Sequence, residues 1–178
     1  MNLSSLLILV KEAPYYRKLL KELSQGGKEL NLAIVETAKP YLIAALCQEA
    51  LSPTLVISTE PKDAKRLYDE LQVWCPISTP IYLFPEPGSL PYEELSPDIV
   101  TLSGRLEVIA ALNSQGNTAS NNQNPPLIIA SALAIMSKTI SPVDFTTASH
   151  TLTTGMSIDP MELLVKWEAM GYEMEGVV

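Results

Sequence analysis

Four short runs, residues 30–35, Thr54–Ser58, 80–84 and Leu127–Ser131, are apolar or β-branched at most positions and alternate with longer amphipathic stretches. Runs that are apolar throughout, rather than at every second residue, are strands buried on both faces. A chain that alternates such strands with helices folds as a parallel sheet covered by helices, so the class is α/β.

The helices between them follow from spacing. Residues 3–23 carry Leu6, Leu7, Val10, Leu19, Leu20 and Leu23 at helical intervals. Pro14 splits that stretch in two, and Gly26 and Gly27 end it. Residues 40–51 form a second helix, with Pro40 in the first turn, where its missing N–H costs nothing. In Pro61–Trp74 the residues Ala64, Leu67, Leu71 and Trp74 share one face. Lys62, Lys65, Arg66, Asp69 and Glu70 cover the other. Residues 97–112 place Leu102, Leu106, Ile109 and Leu112 on one stripe, which predicts the buried face. A short helix over 132–138 follows the fourth strand.

Two segments interrupt the alternation. Residues 84–98 hold Pro85, Pro87, Pro91 and Pro97 with Glu86, Glu93 and Glu94, and read as an extended acidic loop. Residues 113–126 (NSQGNTASNNQNPP) read as a polar linker. After about residue 141 the pattern changes. Residues 143–152 are Thr-rich and strand-like, Gly155 turns the chain, and Ser157 or Asp159 caps a helix from Pro160 carrying Leu163, Leu164, Trp167 and Met170. These divisions give an α/β domain over 1–140 and the unfinished start of a second, α+β domain over 141–178.

Composition narrows the functions. The chain has 178 residues, 47% of them hydrophobic, enough for a real core. Its net charge is −8, and residues 67–178 hold only 3 bases against 13 acids, which argues against duplex DNA binding by this piece alone. Cys47 and Cys75 form no CxxC pair, and His150 is the one histidine, so a zinc site of the usual Cys/His kinds cannot be assembled. Nothing around His150 points to a Ser-His-Asp site. Trp74 and Trp167 lie on apolar helix faces and read as core, and the group Tyr15, Tyr16, Arg17 and Lys18 reads as a helix face packed on its own domain. Unpaired thiols fit a reducing cytoplasm. The run Leu6 to Val10 is too short to span a membrane, and no basic segment precedes it.

The most informative stretch is the first strand-to-helix turn: Glu36, Thr37, Ala38, Lys39, Pro40. Open α/β sheets bind ligands at the carboxyl ends of their strands, and a phosphate loop would sit here. Such a loop needs glycines so that backbone N–H groups can wrap the phosphates, a Lys, and a Ser or Thr hydroxyl for Mg²⁺. Lys39 fills the lysine position. Glu36 and Ala38 stand where glycines belong, and Pro40 stands in place of the hydroxyl. A carboxylate beside phosphate is repulsive, so the turn reads as a degenerate nucleotide loop with no catalytic, cofactor or metal residue. Glu93, Glu94 and Asp98 as a metal or acid/base cluster are weaker than a solvated loop. From the residues alone the chain is a non-catalytic α/β interaction module.

The whole series resembles the N-terminal region of bacterial transcription-repair coupling factors, the Mfd family, a region itself similar to the first domain of the excision-repair subunit UvrB. Lys21-Glu22-Leu23 with Gly26-Gly27 fits the opening helix pair, and PTLVISTEPKDAKRLYDEL from Pro53 the second strand and helix. The most specific match is FPEPGSLPYEELSPDIVTLSGRLEVIAAL from Phe84, with its Leu-Pro-Tyr-Glu, Ser-Pro and Arg-Leu spacing. Residues 127–138 fit the next strand and helix, and 156–175 the first helix of the family's second, inserted domain. Residues 113–126 look like an insertion. The UvrB relatives carry a nucleotide loop in the turn that Glu36 to Pro40 occupy here, and the coupling factors have lost it.

The resemblance implies a non-catalytic scaffold. The full protein of that family is an ATP- and Mg²⁺-dependent DNA translocase. It displaces stalled RNA polymerase and recruits UvrA for nucleotide excision repair, with its motor and UvrA contacts beyond Val178. This module would help autoinhibition by packing on the C-terminal domain. It would be cytoplasmic, with no membrane partner. The alternatives are a nucleotide-binding UvrB-like helicase subunit, which must bind nucleotide despite Glu36 and Pro40, and an unrelated flavodoxin-like or Rossmann-like domain, whose phosphate or flavin loop is not found.

Overall fold

The computed structural model describes residues 2–26, 29–87, 98–117, 124–170 and 172. Its contacts divide the chain into two compact units, Met1–Lys138 and Thr139–Val178.

The first unit is built on three parallel strands, β1 (Thr54–Ser58), β2 (Ile81–Phe84) and β3 (Leu127–Ser131), in the order β1-β3-β2. Val56 and Leu83 both register with Ile129 of the central strand. Every residue of β3 is buried, as its unbroken apolar run requires. Around the sheet lie α1 (Leu7–Glu12), α2 (Pro14–Ser24), α3 (Lys39–Glu49), α4 (Pro61–Trp74), α5 (Ile99–Asn117) and α6 (Ala132–Met136). Pro14 does separate α1 from α2, standing at the first turn of the second helix. Ala64 and Leu71 of α4 meet Leu127 and Ile129 of β3 and Ala44 and Cys47 of α3 in the core, and Leu67 and Trp74 pack against that cluster. The charged face of α4 is outward, as its sequence predicts.

The structure corrects four expectations. Residues 30–35 form no strand: Leu32 and Val35 are exposed, and the segment joins no ladder among the described residues. An apolar run makes a strand only where a neighbour takes up its backbone groups. The buried face of α5 is not the leucine stripe. Leu102, Leu106 and Leu112 are exposed, whereas Val108 is buried and Arg105 turns inward to the Pro85 and Ala134 carbonyls. The helix also runs on to Asn117, into the stretch read as a linker. In the second unit residues 143–152 are not a strand. Ser141 caps α7 (Pro142–Ala148), its hydroxyl accepting from the Asp144 N–H, and proline fills the first turn. Those two start signals outweigh the β-branched composition. No strand occurs among the second unit's described residues, where α8 (Pro160–Ala169) begins at an Asp159 cap.

Candidate functional site

The turn at the head of α3 is one 3₁₀ turn, Glu36–Ala38, that runs straight into the helix. It closes through the Ala38 N–H, which donates to the Val35 carbonyl at 2.9 Å. Pro40 is buried, while Glu36, Thr37 and Lys39 are exposed. Among the described residues only Gly26 and Gly155 have positive φ. A phosphate-wrapping nest needs left-handed backbone in sequence with right-handed backbone, and this turn has none.

Its side chains satisfy each other. Lys39 Nζ lies 2.5 Å from Glu36 Oε2. Arg66 of α4 reaches the other oxygen of Glu36 at 3.5 Å and Asp63 at 3.3 Å. The hydrogen bond from Lys39, with the positive charges of Lys39 and Arg66, holds the Glu36 carboxyl below its usual range. A cleft of about 450 Å³ opens here, walled by this turn on one side and by Val56, Ile57, Ser58 and Thr59 of β1 and its exit on the other. The sequence does not single out Arg66, Ser58 or Thr59. Arg66 reads there only as part of a solvated face, and nothing in its spacing reveals the bond to Glu36.

A second polar constellation sits at the carboxyl ends of β2 and β3. Arg105 is 8% exposed. Its Nη1 donates to the Pro85 carbonyl at 2.7 Å and to the Ala134 carbonyl at 3.3 Å. Its guanidinium lies 4.1 Å from the centroid of the Phe84 ring, while Nη2 is buried without a hydrogen-bond partner. Burial pushes its pKa down from the ordinary arginine value. Beside it the Ser131 hydroxyl donates to Glu86 and accepts from the Ala134 N–H, capping α6. The sequence signal for this cluster is that Arg105 is the sole Lys or Arg between Arg66 and Lys138.

The remaining candidates resolve into structural roles or lie outside the described residues. Asp98 caps α5, accepting from the Thr101 N–H at 3.3 Å. Glu93 and Glu94 lie outside the described residues. Tyr16 is in the core, whereas Tyr15 is exposed. His150 Nε2 accepts a hydrogen bond from Trp167 Nε1 at 2.9 Å and the two rings stack, so the histidine supports a half-buried tryptophan. No group of three His, Cys, Asp or Glu side chains that could hold a metal converges among the described residues. None of the described helices is long and apolar enough to cross a membrane.

No protein-family model matches the chain, and no curated protein matches it. The functional reading therefore rests on the residues themselves.

Proposed function

We propose that this chain is the non-catalytic, UvrB-like N-terminal module of a transcription-repair coupling factor. Its turn at residues 36–40 is the remnant of a nucleotide loop. The observation that carries this reading is the Glu36–Lys39 ion pair across a glycine-free turn. Lys39 is the one residue a nucleotide would need that is still present, and its charge is already matched. A phosphate brought to Lys39 would meet the Glu36 carboxylate first. The Ser-Pro to Arg-Leu motif supports the same reading from another side, because its arginine ties the exit of β2 to α6. A residue spent on holding a loop and a helix together fits a scaffold.

In this reading the module contributes to a coupling factor by shape. It frames the region that recruits UvrA, whose contacts the resemblance puts beyond Val178, and packs against the C-terminal domain to keep the translocase quiet. ATP, Mg²⁺, DNA and RNA polymerase are handled elsewhere in such a protein.

Two measurements test it. Titration with Mg-ATP to millimolar concentration by calorimetry is expected to give no binding heat. Saturable binding at or below about 100 µM, abolished by Lys39→Ala, would favour the helicase-subunit alternative. Grafted in place of the corresponding region of a bacterial coupling factor, residues 1–178 are expected to keep basal ATPase low. ATPase as high as in the factor lacking that region would sink the scaffold reading.

A further inference from the structure

β1 is an edge strand that pairs only with β3 among the described residues. The Thr54 N–H donates to the Pro126 carbonyl at 3.0 Å, which fixes the phase of the ladder. Thr54, Val56 and Ser58 turn their backbone groups toward β3, so Leu55 and Ile57 turn theirs outward. Those two N–H and two C=O groups form the free edge. Leu55 and Ile57 are 51% and 56% exposed, although both are large aliphatics in a parallel sheet, a class normally covered on both faces. The cleft of about 450 Å³ beside the turn at 36–40 reaches Val56 and Ile57 of this strand but not Leu55.

Edge strands ordinarily carry a device against pairing: a charge, a proline, a bulge or great shortness. Thr54–Ser58 has no charge, no proline and an unbroken five-residue register with β3. Its sequence, Thr-Leu-Val-Ile-Ser, also reads the same in character from either end. Laid antiparallel on itself about Val56, it sets Thr54 opposite Ser58, Leu55 opposite Ile57 and Val56 opposite Val56. This is the self-complementarity that an isologous two-fold contact demands. No like charges meet anywhere along it.

We propose that β1 is a self-association edge, whose occupant is β1 of a second copy paired antiparallel across a two-fold axis. The sheet of the first unit then continues through both copies as six strands, and Leu55 and Ile57 pack across the dyad as cross-strand pairs. This inference is independent of the coupling-factor reading.

The test is sedimentation equilibrium of the full 178-residue chain from about 10 µM to about 500 µM, a range that captures weak self-association. The wild type is expected to show a monomer–dimer equilibrium. Ile57→Lys and Leu55→Lys, which place a charge on the edge without touching the core, are expected to stay monomeric at every loading with an unchanged Tm. Hydrogen exchange supplies a readout that needs no variant. The Leu55 and Ile57 amides should slow as concentration rises, while those of Thr54, Val56 and Ser58 should not change. A wild type that is monomeric throughout overturns the proposal and leaves the edge to a strand of another polypeptide. So does a dimer that both lysine variants leave intact, or exchange at Leu55 and Ile57 that is independent of concentration.

Discussion

Lys39 and Glu36 face each other across a single 3₁₀ turn, nitrogen to oxygen 2.5 Å apart, at the head of α3. The pair lies in solvent, so it contributes little to stability. Its effect is on what the turn can hold. The lysine is neutralised by its own neighbour three residues earlier, and Arg66 is drawn to the same carboxylate.

The first expectation concerns that carboxylate. Lys39 and Arg66 depress the Glu36 pKa, so whatever the pair adds is present above the ordinary glutamate range. It is lost as pH falls through the lowered folded-state value. Followed by carboxyl-carbon NMR, Glu36 is expected to titrate at lower pH in the wild type than in Lys39→Met/Arg66→Met. Glu36→Gln should leave Tm within error. A Glu36 titration identical in the two proteins would mean that the ion pair does not form in solution.

Glycine at Glu36 and Ala38 with threonine at Pro40 removes the repulsive carboxylate, frees Lys39 and restores a hydroxyl. Weak Mg-ATP binding is expected in calorimetry, absent from the parent. No gain at all would show that the backbone of the turn, and not only its side chains, has left the phosphate-binding conformation.

The two tyrosines of the helical layer should respond oppositely to losing a hydroxyl. Tyr16 is 4% exposed and its hydroxyl is buried without a partner. The Tyr41 hydroxyl donates to the Leu6 carbonyl at 2.8 Å. An unmade buried hydrogen bond costs about 1–3 kcal/mol, and a made one contributes about 1 kcal/mol net. Tyr16→Phe is therefore expected to raise stability by about 1 kcal/mol, and Tyr41→Phe to lower it by about as much. Urea denaturation of the two variants beside the wild type reads the contrast directly.

Which of these features the sequence reveals depends on how far each is dictated locally. Leu127–Ser131 and Pro61–Trp74 are legible to the residue, because burial forces their pattern, while Thr54–Ser58 is legible in its bounds although Leu55 and Ile57 are exposed rather than buried on both faces. Residues 30–35 have the same apolar character but no ladder, since composition cannot say whether a neighbouring strand exists. The face of α5 is illegible for a different reason. The helix is apolar nearly all round, with Leu102 and Val108 on opposite fates, and a lone arginine turned inward is the reverse of the ordinary rule. The turn at 36–40 is legible in its defects, while Arg66, the partner that completes its charge network, comes from a helix 30 residues away in sequence.

Arg105 is expected to tolerate no conservative replacement. A planar guanidinium reaches the Pro85 and Ala134 carbonyls while lying over Phe84. A lysine ammonium cannot both stack and bridge in that geometry. Arg105→Lys should cost about 2–3 kcal/mol, as the part-buried Pro85 carbonyl and the buried Ala134 carbonyl lose a charged donor. Arg105→Met should be no worse than the lysine variant, because it also removes a buried cation that has no carboxylate partner among the described residues. A lysine variant as stable as the wild type would show that the tie between β2 and α6 is dispensable.

The core also fixes how the protein responds to alkali. Burial, with the charge of Cys47 nearby, pushes the Cys75 thiol from 9.0 up to about 12. Burial and the charge of Glu49 push Tyr16 from 10.0 to about 12. Both groups hold their protons more tightly folded than unfolded. Their contribution is complete below the unfolded values and is lost as pH rises toward about 12. Between those limits each takes away about 1.4 kcal/mol per pH unit at most. Cys47, raised by burial too, acts in the same sense. Stability measured by urea denaturation should fall steadily above pH 9 under reducing conditions. Cys75→Ala costs some packing at neutral pH, yet it should flatten the first part of that fall and leave the part that begins at the tyrosine value of 10.0. A pH profile parallel to that of the wild type would show that Cys75 ionises in the folded protein as readily as in the unfolded chain.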